Sequence, residues 1–524
     1  MPENAGGWLA YHLEKASAIK DTVEKKAEEK STEKEKAAPK KDSKNKKKKA
    51  EGTTLVLRRL ENGSEQRFEN ALDYGFSKNG KWLIYTAASK DSSADGTFAV
   101  ETASATRTSL LTGAGEYKNI AIDEAGEQVA FLSNRDDFTA EHPAFALYFW
   151  KTGDAAAKVL AKTGTAGVPA GWQPSEHGTV EFSGNGKRLF FGTAPQGEPE
   201  PDDEAPDDEK VKLDVWHWQD PLLQPMQLRQ AKREKERSYR AVVHLGTGTV
   251  VQLATEDVPD IFLAQKNNSD HALGRSGLPY EQEISWEWPR FYDFHLIDVK
   301  TGKSRLLAEK IQDNARLSPD AKYMYWWDRD RLAWFVRSTS GGEATNVSGN
   351  IPYRLDNEMH DWPYKPNAYG TAGWTKNDAL LLLYDKHDVW AVEPTGKRAP
   401  RCVTEEFGRQ NNLRFRYVRL DREQEFIDPQ QSMLLSAFDL QNKAGGFYRD
   451  RVAGSDAPEK LLVAEYAFSR VRKAKEADKL ILTRENFREF PDYWFGDLDL
   501  RDLKKLTDAN PQQANYTWGD AELA

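Results

Sequence analysis

The residues that could do chemistry in this chain are few and scattered. Glu281, Glu283 and Arg290 fall in YEQEISWEWPRFYD (280–293), together with Glu287, Trp286 and Trp288. Carboxylates on a loop of this kind can hold a substrate amine through charge-assisted hydrogen bonds, or can pair with neighbouring basic groups. A second group is Trp216, His217 and Trp218 in WHWQDP (216–221), two indoles around an imidazole. Packing at the edge of a sheet and contact with a substrate or a domain are both open readings for it. No G-x-S-x-G occurs, so a nucleophile elbow is not encoded, and no H-E-x-x-H is present: EMHDW (358–362) has one His and no partner at helical spacing. No phosphate loop or dinucleotide fingerprint appears, and GTGTV (246–250) reads as a hairpin turn. No catalytic residue, metal ligand set or cofactor is therefore expected.

Composition narrows the class. The chain has 524 residues, 39% hydrophobic and 11% aromatic with 16 Trp, enough to bury an extensive core in several domains or one large repeat. A net charge of -9 argues against a general nucleic-acid binder, which needs a basic face. Cys402 is the single cysteine, so no intrachain disulfide or thiolate metal cluster can form. The apolar run ALLLLY (379–384) is far short of the ~18 residues of a membrane span, and MPENAGGWLAYHLEK has no signal-peptide pattern.

Self-similarity organises the rest. An apolar strand, an Asn/Asp-Gly turn, a basic residue and a second aromatic strand recur in FSKNGKWLIYTA (76–87), IDEAGEQVAFLS (122–133), FSGNGKRLFFGT (182–193), LSPDAKYMYWWD (317–328) and WTKNDALLLLYD (374–385). Gly and Asn fit these turns because a tight hairpin needs positive φ. A second hairpin follows each, as in TTLVLRRLENGSEQRF and FYDFHLIDVKTGKSRLLAEK, giving roughly nine copies about 40–60 residues apart. Two hairpins make a four-stranded antiparallel unit, and such units make a β-propeller. The expected fold is all-β, a propeller of eight or nine blades over 53–510, with most Trp between blades. Each buried Trp or Tyr would contribute on the order of 4–6 kcal/mol at ~25 cal/mol per Å².

Two insertions interrupt the pattern. Residues 16–52 are rich in Lys and Glu and almost free of large apolar side chains, and 198–210 (EPEPDDEAPDDEK) are acidic and Pro-rich, so neither can order itself by burial. A helical excursion is expected over 219–240, starting after Pro221 or Pro225. Residues 3–14 supply the second strand of a partial first blade (1–15), and 511–524 read as a linker strand, with ring closure by NYTW (515–518) as the alternative.

WLAYHLEK with its Lys-rich insertion, DVWHWQDPLLQPMQ, SMLLSAFDLQNKAGGFYRD, TRENFREFPDYW and DANPQQANYTWGDAEL resemble the propeller half of bacterial prolyl oligopeptidase-type serine peptidases, the dipeptidyl-peptidase and acylaminoacyl-peptidase-like group. The resemblance implies a non-catalytic propeller that caps an α/β-hydrolase domain, gates and orients short peptides, and holds their free amine with acidic residues. It implies a periplasmic or secreted parent protein. That hydrolase domain, with its Ser, Asp and His, would begin just after Ala524, so this chain alone is expected to be inactive. Glu281 and Glu283 do not clearly match the family's acidic pair. A free-standing WD40 or TolB-like interaction propeller is the main rival, and a propeller enzyme with an axial site is a third reading.

Overall fold

The computed structural model describes residues 1–13, 50–140, 142–197, 213, 215–312 and 315–519. The Lys/Glu-rich and acidic insertions fall almost wholly outside these. Within them the chain is built from antiparallel strands in eight sheets. The first has six strands, Trp8–Leu13, Thr53–Arg59, Glu65–Phe76, Trp82–Ala87, Gly96–Glu101 and Arg107–Thr112. The second covers 117–161 and the third, with five strands, covers 172–252. Four-stranded sheets follow over 260–312, 316–346, 371–402, 413–464 and 467–505, each with its strands in sequence order. Repeated hairpin pairs of this kind are propeller blades.

Eight sheets reconcile with nine hairpin sets through the strand Glu65–Phe76. Its first half pairs with Thr53–Arg59 up to Ala71, and from Ala71 to Phe76 it pairs with Trp82–Ala87. Asn70 at the switch has φ 61°, which Asn tolerates at little cost. One long strand therefore serves a three-stranded first unit and the complete unit after it. Trp8–Leu13 is the outer strand of that first unit, in register with Thr54 to Arg59.

The turn chemistry read from the sequence is realised locally. Gly80, Gly126 and Gly186 have φ of 70°, 70° and 65°, and where Gly is replaced, Ala321 and Asp378 carry the positive φ themselves, at 54° each. A serine tightens three of these turns: Ser77 Oγ accepts the Trp82 amide at 2.9 Å, Ser183 Oγ the Arg188 amide at 3.0 Å, and Ser318 Oγ the Tyr323 amide at 3.0 Å. Chain reversal and strand pairing thus come from the same few residues.

The chain divides into two compact units, Met1–Asp270 with Gly274–Ser276 and Ile297–Ser304, and His271–Leu273 with Gly277–Leu296 and Arg305–Ala524. Each carries its own cores. In the first, Trp82, Phe131, Tyr148 and Trp150 pack with Ile84 and Val129. In the second, Tyr325, Trp327, Trp334, Trp374 and Trp390 form an aromatic core with Leu381 and Leu383. Seven Trp are buried but six stand exposed, at 216, 218, 286, 288, 362 and 518, so fewer belong to the core than the repeat alone implied. All six lie outside the strands, where no neighbouring sheet face covers them.

Within the 219–240 excursion a helix runs over Gln224–Lys235, with Pro225 in its first turn, and none of its residues is buried. One further expectation is corrected. The C-terminal stretch is not a strand: Pro511–Asn515 is a 3-10 helix, and Tyr516 and Trp518 are exposed beyond it. Pro511 favours helix initiation and supplies no ladder N–H, while the Trp518 indole is held by the Gln513 carbonyl at 3.0 Å. Residues 520–524 lie outside the described residues.

Candidate functional site: an aromatic and acidic loop

Residues 277–290 join the strands His271–Ser276 and Phe291–Asp298 of the fourth sheet. Pro279 sits in the first turn of the segment, and Leu278–Ser285 winds as a 3-10 helix. With three residues per turn, Tyr280 and Glu283 share a face, while Glu281 is turned about a third of a revolution away. The contacts agree. Lys310 lies 3.7 Å from the Glu283 carboxylate and 5.7 Å from the Tyr280 ring centroid. It is 4.9 Å from the Phe291 ring as well. The Tyr280 hydroxyl donates to Asp293 Oδ1 at 2.6 Å, and the Lys310 amide donates to the same oxygen at 2.9 Å. Burial, then the Asp293 carboxylate, raises the Tyr280 hydroxyl pKa, so it stays a donor. Gln312 closes the far end, its side chain donating to the Pro289 carbonyl at 3.1 Å.

The result is a firm platform with a wet outer surface. Trp286 is 70% exposed and Trp288 63% exposed, and Glu287 is exposed between them. Glu281, Glu283 and Arg290 are half-buried. Large aromatics beside carboxylates offer a surface for an extended, amine-bearing ligand: rings for its apolar groups and carboxylates for its charge. Glu283 already holds an ammonium, that of Lys310, which shows the chemistry, and Glu287 is the exposed carboxylate of the loop.

The other group read from the sequence stands apart, in the first compact unit. Trp216, His217 and Trp218 are all exposed, Trp218 at 84%, rather than packed against a sheet edge. His217 stacks on Trp218 at 6.1 Å between centroids, accepts the Gln219 amide on Nδ1 at 3.2 Å, and donates its own amide to Asp220 at 3.3 Å. The Pro221 that follows starts the approach to the helix. Among the described residues no cluster of His, Cys, Asp or Glu could hold a metal ion. No helix of the described residues is long and apolar enough to cross a membrane.

Sequence reasoning missed Asp293 and Lys310, the groups that fix the loop. Lys310 is 27 positions from Glu283, and nothing local marks the pair. It also missed a group of arginines on edge strands of the second unit, although LRFRYVRL (413–420) alternates basic and apolar residues in plain view.

No family model matches the chain, and no curated protein matches it. Among solved structures it is similar to the β-propeller domain of the Trilobed protease from Pyrococcus furiosus, at 10% identity over 88% of each chain with a TM-score of 0.28. It is similar to dipeptidyl peptidase 4 from Porphyromonas gingivalis, at 9% identity over 90% of this chain and 58% of that one, TM-score 0.37. TolB from Acinetobacter baumannii matches at 11% identity over 55% of this chain and 58% of its own, TM-score 0.24. The chain spans just over half the length of the matched dipeptidyl peptidase. The solved structures it resembles thus include propellers of peptidases, and its own strand order makes the chain an all-β propeller.

Proposed function

We propose that the chain is a non-catalytic recognition propeller that gates and orients peptides for an α/β-hydrolase domain of the prolyl oligopeptidase type, joined in the same protein. The observation that carries this reading is the 277–290 loop: a 3-10 helix bearing Glu281 and Glu283, pinned by Tyr280, Asp293 and Lys310, followed by two exposed indoles and the exposed Glu287. A pinned loop loses little freedom on binding, so its contacts are available as affinity. Glu281 is the carboxylate assigned to the peptide amine, with Trp286 and Trp288 against the first side chains and the half-buried Arg290 following them in the chain.

Fluorescence anisotropy with a labelled tripeptide tests it. The free-amine form should bind about tenfold more tightly than its N-acetylated twin, and Glu281→Gln should erase that difference. Equal binding of the two forms by the unaltered chain would withdraw the reading. A second reading, a protein-docking propeller, draws on the exposed Leu213, Val215, Trp216, Trp218 and Leu228. It would be favoured if Trp216→Ala with Trp218→Ala abolished association with a partner protein while peptide binding was absent throughout.

A further inference from the structure

Arginines in the sheets of this protein are commonly neutralised. Arg188, Arg240, Arg275, Arg409 and Arg449 each hold a carboxylate, from Asp270, Glu181, Asp260, Asp385 and Asp499 respectively. Arg316, Arg416 and Arg419 make no such pair among the described residues. All three lie in the second compact unit, on or just beyond strands that open their sheets. Arg316 stands opposite Tyr325 in the fifth sheet, and Arg416 lies in Leu413–Val418, the edge strand of the seventh.

Arg416 and Arg419 approach the intervening sixth sheet. The Arg416 guanidinium lies 4.5 Å from the Tyr384 ring and 5.5 Å from the Tyr369 ring. A Cβ built on Gly373, in the opening strand of that sheet, would meet the Arg419 Nη2 at 3.8 Å. Trp374, next to Gly373, packs edge-on against Tyr325 at 5.4 Å. Burial raises the Tyr325 and Tyr384 hydroxyls. The charges of Arg316 and Arg419 oppose this at Tyr325, and those of Arg416 and Arg419 oppose it at Tyr384. Two tyrosine hydroxyls therefore sit within the field of three cations.

The donors are only partly used. Arg416 gives Nη1 to the Phe415 carbonyl at 2.6 Å and Nη2 to the Asp385 carbonyl at 3.1 Å, which orients the group without neutralising it. Its burial pushes its pKa down to about 10. Tyr384 accepts the Tyr417 amide at 3.0 Å and retains its own O–H to give. Arg316 and Arg419 are exposed. Arg416 is half-buried beside the Arg414 charge; the Asp385 carboxylate partly offsets this but is held by Arg409 and makes no direct ion pair with Arg416, so an arriving carboxylate would supply the missing partner.

We propose that Arg316, Arg416 and Arg419, with the Tyr384 hydroxyl, form a carboxylate-binding site that receives an acidic group of a peptide ligand. The assignment of the carboxylate to a peptide rests on the proposed function; the site itself rests on the arginines. Planar guanidinium matches carboxylate in a two-bond fork, which favours this anion class.

Three N-acetylated peptides, titrated calorimetrically, test the site with the amine out of play. One ends in a free carboxylate, one is its amide, and one is an amide with an internal Glu. The first or third should bind about tenfold or more tightly than the neutral amide, and Arg316→Gln or Arg419→Gln should remove the discrimination. Preference for the first alone assigns a C-terminal carboxylate; preference shared by the third assigns a side chain. Both variants alter exposed side chains, and circular dichroism checks that the fold is kept. Equal affinities in the unaltered chain, or discrimination that survives in both variants, would overturn the proposal. If no peptide binds, succinate separates the two claims. A rise in melting temperature with succinate that is lost in Arg419→Gln keeps the carboxylate site and withdraws the peptide. No rise with succinate, or a rise with inorganic phosphate only, overturns the site.

Discussion

Replacing Asp385 by Ala should loosen the part of the second unit that positions the arginines. Asp385 is fully buried and accepts four hydrogen bonds. The amides of His387 and Asp388 give to Oδ1, at 2.7 and 2.5 Å, while the Trp390 indole at 3.2 Å and the Arg409 guanidinium at 2.9 Å give to Oδ2. His387 then ties this turn to the edge strand, its carbonyl accepting the Phe415 amide at 2.8 Å and its Nδ1 meeting the Leu413 carbonyl at 2.8 Å. All four bonds end on a carboxylate, so at about 1.5 to 3 kcal/mol each their gross sum is roughly 6 to 12 kcal/mol. Water entering the space recovers part of this, so a loss of about 3 to 5 kcal/mol is expected, as for breaking a buried ion pair. A chain of two compact units need not unfold in one step, so the fitting assay is local: hydrogen exchange of Val389–Val392 and Leu413–Val418. A loss of 3 kcal/mol accelerates exchange there by about 100-fold, while the first unit should be unchanged. Acceleration below about threefold would refute the reasoning. Arg409→Met in the same background should then cost little more, because its buried partner has already gone.

Other expectations are as direct. Asp450 titrates at about 6, pushed up by burial, with Arg401 and Arg451 lowering it and Glu405 raising it. An unfolded Asp titrates near 4, so between about pH 4 and 6 the folded state binds the extra proton and stability falls as pH rises, by up to roughly 2 to 3 kcal/mol. Asp450→Asn should flatten that part of the stability–pH curve and stabilise the protein at pH 7.5; an unchanged curve would count against the buried-acid account. Gly178→Ala would put a Cβ 2.4 Å from the Gly192 Cα, so it should destabilise the third sheet by about 2 kcal/mol or more in thermal denaturation. Trp286→Ala with Trp288→Ala should leave the melting temperature within about 2 °C, because both indoles are solvent-facing, yet weaken peptide binding at least tenfold by anisotropy.

Much of the fold was legible because its signals are local. Asn-Gly and Asp-Gly turns need only the residues that make them, and Gly80, Gly126 and Gly186 adopt the positive φ their turns require. Nine hairpin sets were legible too, but not that Glu65–Phe76 would serve two of them, since a strand's partners are set by the sheet rather than by the strand. The fate of a tryptophan was legible only where the strand pattern fixed its face, as at Trp82 and Trp374. Trp286 and Trp288 have the same composition around them and end in solvent. The loop's acidic and aromatic content could be read at once, whereas its support from Lys310 and Asp293 depends on the pairing of three strands. The arginine group needs three sheets in place before Arg316, Arg416 and Arg419 can be seen to share two tyrosines.

The most direct test of peptide recognition by this propeller is hydrogen–deuterium exchange with and without a saturating free-amine tripeptide. Protection confined to 278–291 and 413–419 is the predicted result. Protection that spares both, and falls on 215–236 or 486–518 instead, would contradict the account.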